Sequence, residues 1–112
     1  MRIYKILPRG AWEAAQATGR FDGSAVDLQD GYIHFSTAAQ APETARRHFT
    51  GLRDLVILEV EGDDLGPALR WEPSRGGDLF PHLYGPLATA QVRAVVDTPL
   101  DARGAPVLDL PQ

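Results

Sequence analysis

Two histidine-bearing segments hold most of the residues in this chain that could do chemistry. The first is Gly31-Tyr32-Ile33-His34-Phe35-Ser36-Thr37. If Ile33 and Phe35 face a core, His34 and Ser36 point together to the other face, because strand side chains alternate. An imidazole and a hydroxyl then sit side by side where a strand gives way to a helix. The first turn of a helix offers free N–H groups and partial positive charge, which suit a phosphate or another anion. A plainer reading stands beside this one: Ser36 or Thr37 only caps the helix, and His34 is one polar residue on an exposed face.

The second segment runs from Trp71-Glu72-Pro73-Ser74-Arg75-Gly76-Gly77-Asp78 into Phe80-Pro81-His82-Leu83-Tyr84-Gly85-Pro86. Glycines and prolines frame Arg75, His82 and Tyr84. Loops on a rigid scaffold often carry function; Arg suits planar anions, and Tyr suits an aromatic ring. Read structurally instead, Trp71, Phe80 and Tyr84 belong to the core beside a tight turn. Both histidines are expected to face one shared cleft, as catalytic residues, with Arg75 at its rim. Ser36, Thr37, Arg75 and Tyr84 are the expected ligand-binding residues.

Other constellations add little. His48, beside Phe49 in a helix, reads as a packing or surface histidine. Lys5 is the only lysine, and in an apolar strand it is poorly placed for covalent chemistry. The two site histidines with Asp78 lack the spacing of a zinc signature, so no metal is assigned. No phosphate-binding glycine loop, dinucleotide fingerprint or nucleophile elbow occurs. Cysteine is absent, which removes disulfides and thiolate chemistry.

The elements that must position these residues follow from periodicity. Arg2 to Leu7 alternates as a first strand, and Pro8 stops it. Gly10 to Ala17 reads as a short helix ended by Gly19. Phe21 to Gly31 is a polar loop with one helical turn at Ala25 to Leu28. Tyr32 to Phe35 is a second strand. Thr37 and Gln40 have capping-box spacing at the start of a helix whose apolar face holds Thr44, Ala45, His48, Phe49 and Leu52. Asp54 to Val60 is a central strand, since its apolar run is nearly continuous. Leu69 to Glu72 is a brief strand, and Pro73 to Gly77 a loop. Phe80 to Leu87, with two prolines and a glycine, is irregular or an edge strand. Val92 to Thr98 is a further strand, and Val107 to Leu110 pairs once more. The sum is one α+β domain over residues 1–112, with a mostly antiparallel sheet and about two main helices.

Composition narrows the partners. The net charge is -4, and hydrophobic residues make up 44%, an ordinary globular value. The sequence pI is about 5.2. Only Arg46-Arg47 forms a tight basic pair, whereas duplex binders need a basic face; extended nucleic acid is not an expected partner. A small molecule is. No apolar run could span a bilayer and the N-terminus lacks a signal-type stretch, so a cytoplasmic location is expected.

Taken in order, IYKIL, GYIHFSTAAQ and WEPSRGGDLFPHLYGPL resemble a small bacterial family, the domain of unknown function nine-five-two. The resemblance covers nearly the whole chain. It implies a fold similar to ADP-ribosyltransferases, a split and mostly antiparallel sheet around a cleft. In transferases of that fold a His or Arg on an early strand holds the NAD ribose, an aromatic ring stacks on nicotinamide, and a later Glu or Gln orients the ribose. His34 matches the first position, and Tyr84 is a stacking residue by analogy. Glu72 is the nearest carboxylate to the motifs, set before a proline loop. Fold similarity is analogy where function is concerned. The expectation is therefore a nucleotide-type site, NAD-related by that analogy, with the reaction unassigned. The rival is a non-enzymatic binding module.

Overall fold

The computed structural model describes residues 1–98, with Arg75 in its backbone only. The predicted strand at Val107 to Leu110 lies outside the described residues. Eight strands and three α-helices follow one another: β1 (Arg2–Pro8), α1 (Arg9–Thr18), β2 (Arg20–Phe21), α2 (Ala25–Asp30), β3 (Ile33–His34), α3 (Ala41–His48), β4 (Leu55–Glu61), β5 (Leu69–Ser74), β6 (Asp78–Leu83), β7 (Leu87–Ala88) and β8 (Val92–Asp97). The domain is α+β, as predicted, and every strand pairing among the described residues is antiparallel. No helix among the described residues is long and apolar enough to cross a membrane.

The strands form two three-stranded sheets, β1-β4-β8 and β3-β6-β5, and a small pair, β2-β7. One isolated bridge, Tyr4 with Ser36, ties the first sheet to the chain just beyond β3. β4 is central because its residues are apolar on both faces. Val56, Leu58 and Val60 join Ile3 and Leu7 in a core with Trp12, Phe21, Ile33, Phe35, Leu83 and Leu87. Leu55 and Ile57 join Tyr4 and Ile6 against Ala45 of α3, with Phe49 alongside.

The loop expected over 21–31 begins at the end of β2 and contains a regular helix, α2. Ser24 and Asp27 form its reciprocal cap, with the Ser24 N–H donating to Asp27 Oδ2 at 2.9 Å. Gly31, with φ at 89°, turns the chain out of the helix. Gly23 is required for a different reason: a Cβ there would lie 2.8 Å from the Cβ of Asp27.

Two further expectations are corrected. β5 runs through Pro73 to Ser74, so only Arg75–Gly77 turns. The segment expected to be irregular or an edge contains β6, which pairs with β3 on one side and β5 on the other. Pro81 is tolerated there because its carbonyl, accepting from the Phe35 N–H at 3.0 Å, points toward β3 just where β3 ends. Its missing N–H faces the same way, so the β5 side of the ladder loses nothing.

Candidate functional site

Alternation along three paired strands builds one polar face. His34 on β3 lies directly across from His82 on β6, and His82 across from Arg70 on β5. Cross-strand partners share a face, so His34, His82, Arg70 and Glu72 collect on it while Ile33 and Leu83 enter the core. Beside this face, where the two sheets part, lies a cavity of about 590 Å³. Its walls include all three histidines of the chain and its only lysine: His34, His48, His82 and Lys5. Tyr4, Ile6, Ser24, Asp30, Ser36, Thr44, Phe49, Ser74 and Phe80 also line it. The size falls within the ordinary range for small-molecule sites, as does the mixture of aromatic walls and a few polar groups.

Two networks hold the polar walls. The first centres on Asp27, whose side chain is 1% exposed. It accepts from Lys5 Nζ at 2.8 Å, from His34 Nδ1 at 2.5 Å and from the His34 backbone N–H at 3.1 Å. It also accepts from the Ser24 N–H, the cap already described. His34 Nε2 lies 2.9 Å from Asp30 Oδ2. Both ring nitrogens of His34 thus face carboxylates.

Burial works to raise the Asp27 carboxyl, but the His34 donor and the Lys5 charge outweigh it and hold the group well below the usual carboxylate range. Burial pushes Lys5 down, against the opposing pull of Asp27. The two directions conflict over one ion pair. The converging donors decide it on the Asp27 side: this carboxylate stays ionised.

The second network centres on Glu72. Its Oε1 accepts from His82 Nδ1 at 2.8 Å and from the Tyr84 hydroxyl at 2.7 Å. These donors hold the Glu72 carboxyl below its ordinary value. The carboxylate also sets the His82 tautomer: Nδ1 carries the proton, and Nε2 is left with a lone pair in the neutral ring. Among the described residues nothing pairs with Nε2, and no buried side-chain nitrogen or oxygen lacks a partner, so Nε2 opens on the cavity that His82 lines. Tyr32 stacks on the His82 ring at 4.1 Å and touches the rings of His34 and Tyr84 at 4.6 and 5.2 Å. His82 is thus fixed in position, orientation and tautomer.

The residues singled out in the sequence divide clearly. His34, His82 and Ser36 line the cavity together, with the histidine rings 5.6 Å apart. The Ser36 hydroxyl lies 3.0 Å from that of Thr44 across the cavity wall. Thr37 does not line it. Its Oγ1 accepts from the Gln40 N–H, and Gln40 Oε1 accepts from the Thr37 N–H, a reciprocal cap just ahead of α3. Tyr84 stands behind His82, through Glu72. Only the backbone of Arg75 is described, in the turn after Ser74.

One expectation is overturned. Trp71 was expected in the core but is 40% exposed, and Tyr84, which the structural reading also put there, is 37% exposed. The polar face of β5 and β6 turns away from the apolar one, and Tyr84 follows it. Lys5, read as poorly placed for covalent chemistry, is buried in β1, paired with Asp27, and lines the cavity. His48, read as a packing or surface residue, is indeed exposed, and it also lines the cavity. Asp27 was missed entirely. Its signal was the Ser24-x-x-Asp27 cap spacing, which marks a helix start but does not reveal a lysine from another strand.

A split, antiparallel α+β domain with one ionic cleft is the class of protein these observations define. The chain belongs to the family described as Protein of unknown function (DUF952), whose model matches residues 6–95. It is similar to protein CC0527 of Caulobacter crescentus. The crystal structure of that protein is 55% identical with a TM-score of 0.94, covering 96% of this chain and 94% of that one. Its solution structure is 56% identical with a TM-score of 0.85, covering 94% and 90%. No curated protein matches the chain.

Proposed function

We propose that the cavity between β1 and β3 binds a nucleotide-type small molecule related to NAD. The observation that carries this reading is the convergence of His34, His82, Lys5 and Ser36 on one cavity of about 590 Å³ that also has Phe49 and Phe80 in its walls. The aromatic walls suit a base, and the donors suit ribose hydroxyls or a phosphate. The reading takes the split sheet as an ADP-ribosylation fold. His34 and Ser36 hold ribose or phosphate, Arg75 serves an anion, and His82, oriented by Glu72, gives or takes a proton through Nε2. A second reading, binding without chemistry, is favoured by one observation: Asp27 and His34 satisfy each other within the protein.

Thermal unfolding and calorimetric titration with NAD, ADP-ribose and AMP test the proposal. A ligand at one hundred times its Kd adds about 2.7 kcal/mol to the folded state. If none of the three raises the melting temperature or gives heat, the nucleotide reading fails. If one binds but parent and His82→Asn proteins release nicotinamide from NAD equally slowly, the site binds without chemistry.

A further inference from the structure

The split between the sheets has a local cause, and it leaves part of the backbone facing the cavity. In a strand, each residue's N–H and C=O point to one side, and the side alternates along the chain. The Arg9 N–H bonds to Asp54 C=O, and the Gly62 N–H to Met1 C=O, so the odd-numbered residues of β1 face β4. The even-numbered ones face the opposite edge. Tyr4 does so, exchanging both of its bonds with Ser36 at 2.8 and 2.9 Å.

The next residue on that edge is Ile6, and antiparallel continuation of the Tyr4–Ser36 bridge would pair it with His34. It does not, because the His34 N–H is given to Asp27 Oδ1. Asp27 therefore ends the ladder after one bridge. Among the described residues Ile6 forms no bridge on that edge. Yet Ile6 is 5% exposed and lines the cavity. Backbone groups left unpaired and out of water are costly, and native proteins give them a partner.

We propose that the Ile6 N–H and C=O are the recognition element for the ring edge of the ligand. The group they fit is planar and presents an acceptor beside a donor, as N1 and the 6-amino group of adenine do: N1 accepts from the N–H, and the amino group donates to the C=O. This inference rests on the nucleotide reading and names the class of base within it. It also explains why a protein would keep a buried ion pair beside a strand edge. Asp27, held ionised by Lys5 and His34, keeps His34 from closing over Ile6.

The test uses the ¹⁵N-labelled full chain, with adenosine and purine riboside, which lacks the 6-amino donor, as probes. In the free protein the Tyr4, Lys5 and Leu7 amides should exchange with solvent slowly, and the buried Ile6 amide fast. Adenosine should slow Ile6 exchange at least tenfold and bind roughly tenfold more tightly than purine riboside, the effect of one lost hydrogen bond. An Ile6 amide as protected as that of Lys5 in the free protein overturns the inference and leaves the nucleotide reading standing. Equal affinity for the two nucleosides does the same. Binding of neither overturns the inference, and together with silence from NAD, ADP-ribose and AMP it removes the reading as well.

Discussion

Lys5 and Asp27 form an ion pair at 2.8 Å with side chains only 6% and 1% exposed. The pair joins the edge strand of one sheet to the first turn of α2. Taking both charges out of water is costly, and their attraction repays this only while both are present. The single variant Asp27→Asn leaves a buried ammonium without its counter-charge. Its expected cost is about 3–5 kcal/mol in urea unfolding. Lys5→Met/Asp27→Asn should recover much of that loss. A double variant as unstable as the sum of the two single variants would show that the residues do not act as a pair.

The same carboxylate gives the protein a pH signature. Its folded pKa is depressed, so in the unfolded chain Asp27 binds a proton first, near the ordinary aspartate value of about 3.9. The contribution of Asp27 is therefore fully present above that pH and is lost as the pH falls toward its folded pKa. Urea midpoints of the parent and Asp27→Asn, measured from pH 7 down to pH 3, should converge only below about pH 4. A gap that stays constant through that window would mean that Asp27 is not ionised in the fold.

Glu72 fixes the tautomer of His82. In the parent, the neutral ring should carry its proton on Nδ1, read from imidazole ¹⁵N shifts. Glu72→Gln places an amide there that can donate to Nδ1 and so releases Nε2 to take the proton. If the parent ring is already protonated at Nε2, the proton-accepting atom proposed for the cavity is misassigned.

Thr37 supports α3 and does not touch the cavity. Thr37→Ala removes one half of the cap with Gln40, at an expected cost of about 0.5–2 kcal/mol. Ligand affinity at a temperature where the variant is folded should stay within a factor of about two, far less than the loss of one good hydrogen bond to a charged group. An affinity loss above roughly tenfold in a folded variant would return Thr37 to the binding site.

What could be read from local spacing was what depends on local spacing. The nearly continuous apolar run of 55–60 marked β4 as buried on both faces, and the small residues before Gly19 marked α1. His34 and Ser36 alternate with Ile33 and Phe35, and they do share a wall. The polar segments framed by small and rigid residues pointed His34 and His82 to one cleft, and both line the cavity.

Tertiary structure decided the rest, because it depends on partners distant in sequence. Whether β6 is central or an edge is a property of β3 and β5, and Pro81 fits only because β3 ends beside it. Lys5 looked stranded in an apolar strand until α2 brought Asp27 to it, across 22 positions of sequence. The split in the sheet turns on the same residue. A carboxylate with capping spacing reads locally as the start of a helix. That it also takes the His34 amide, and leaves Ile6 facing a cavity, follows only when three separate elements meet, since hydrogen bonds between strands are chosen by proximity and not by residue type.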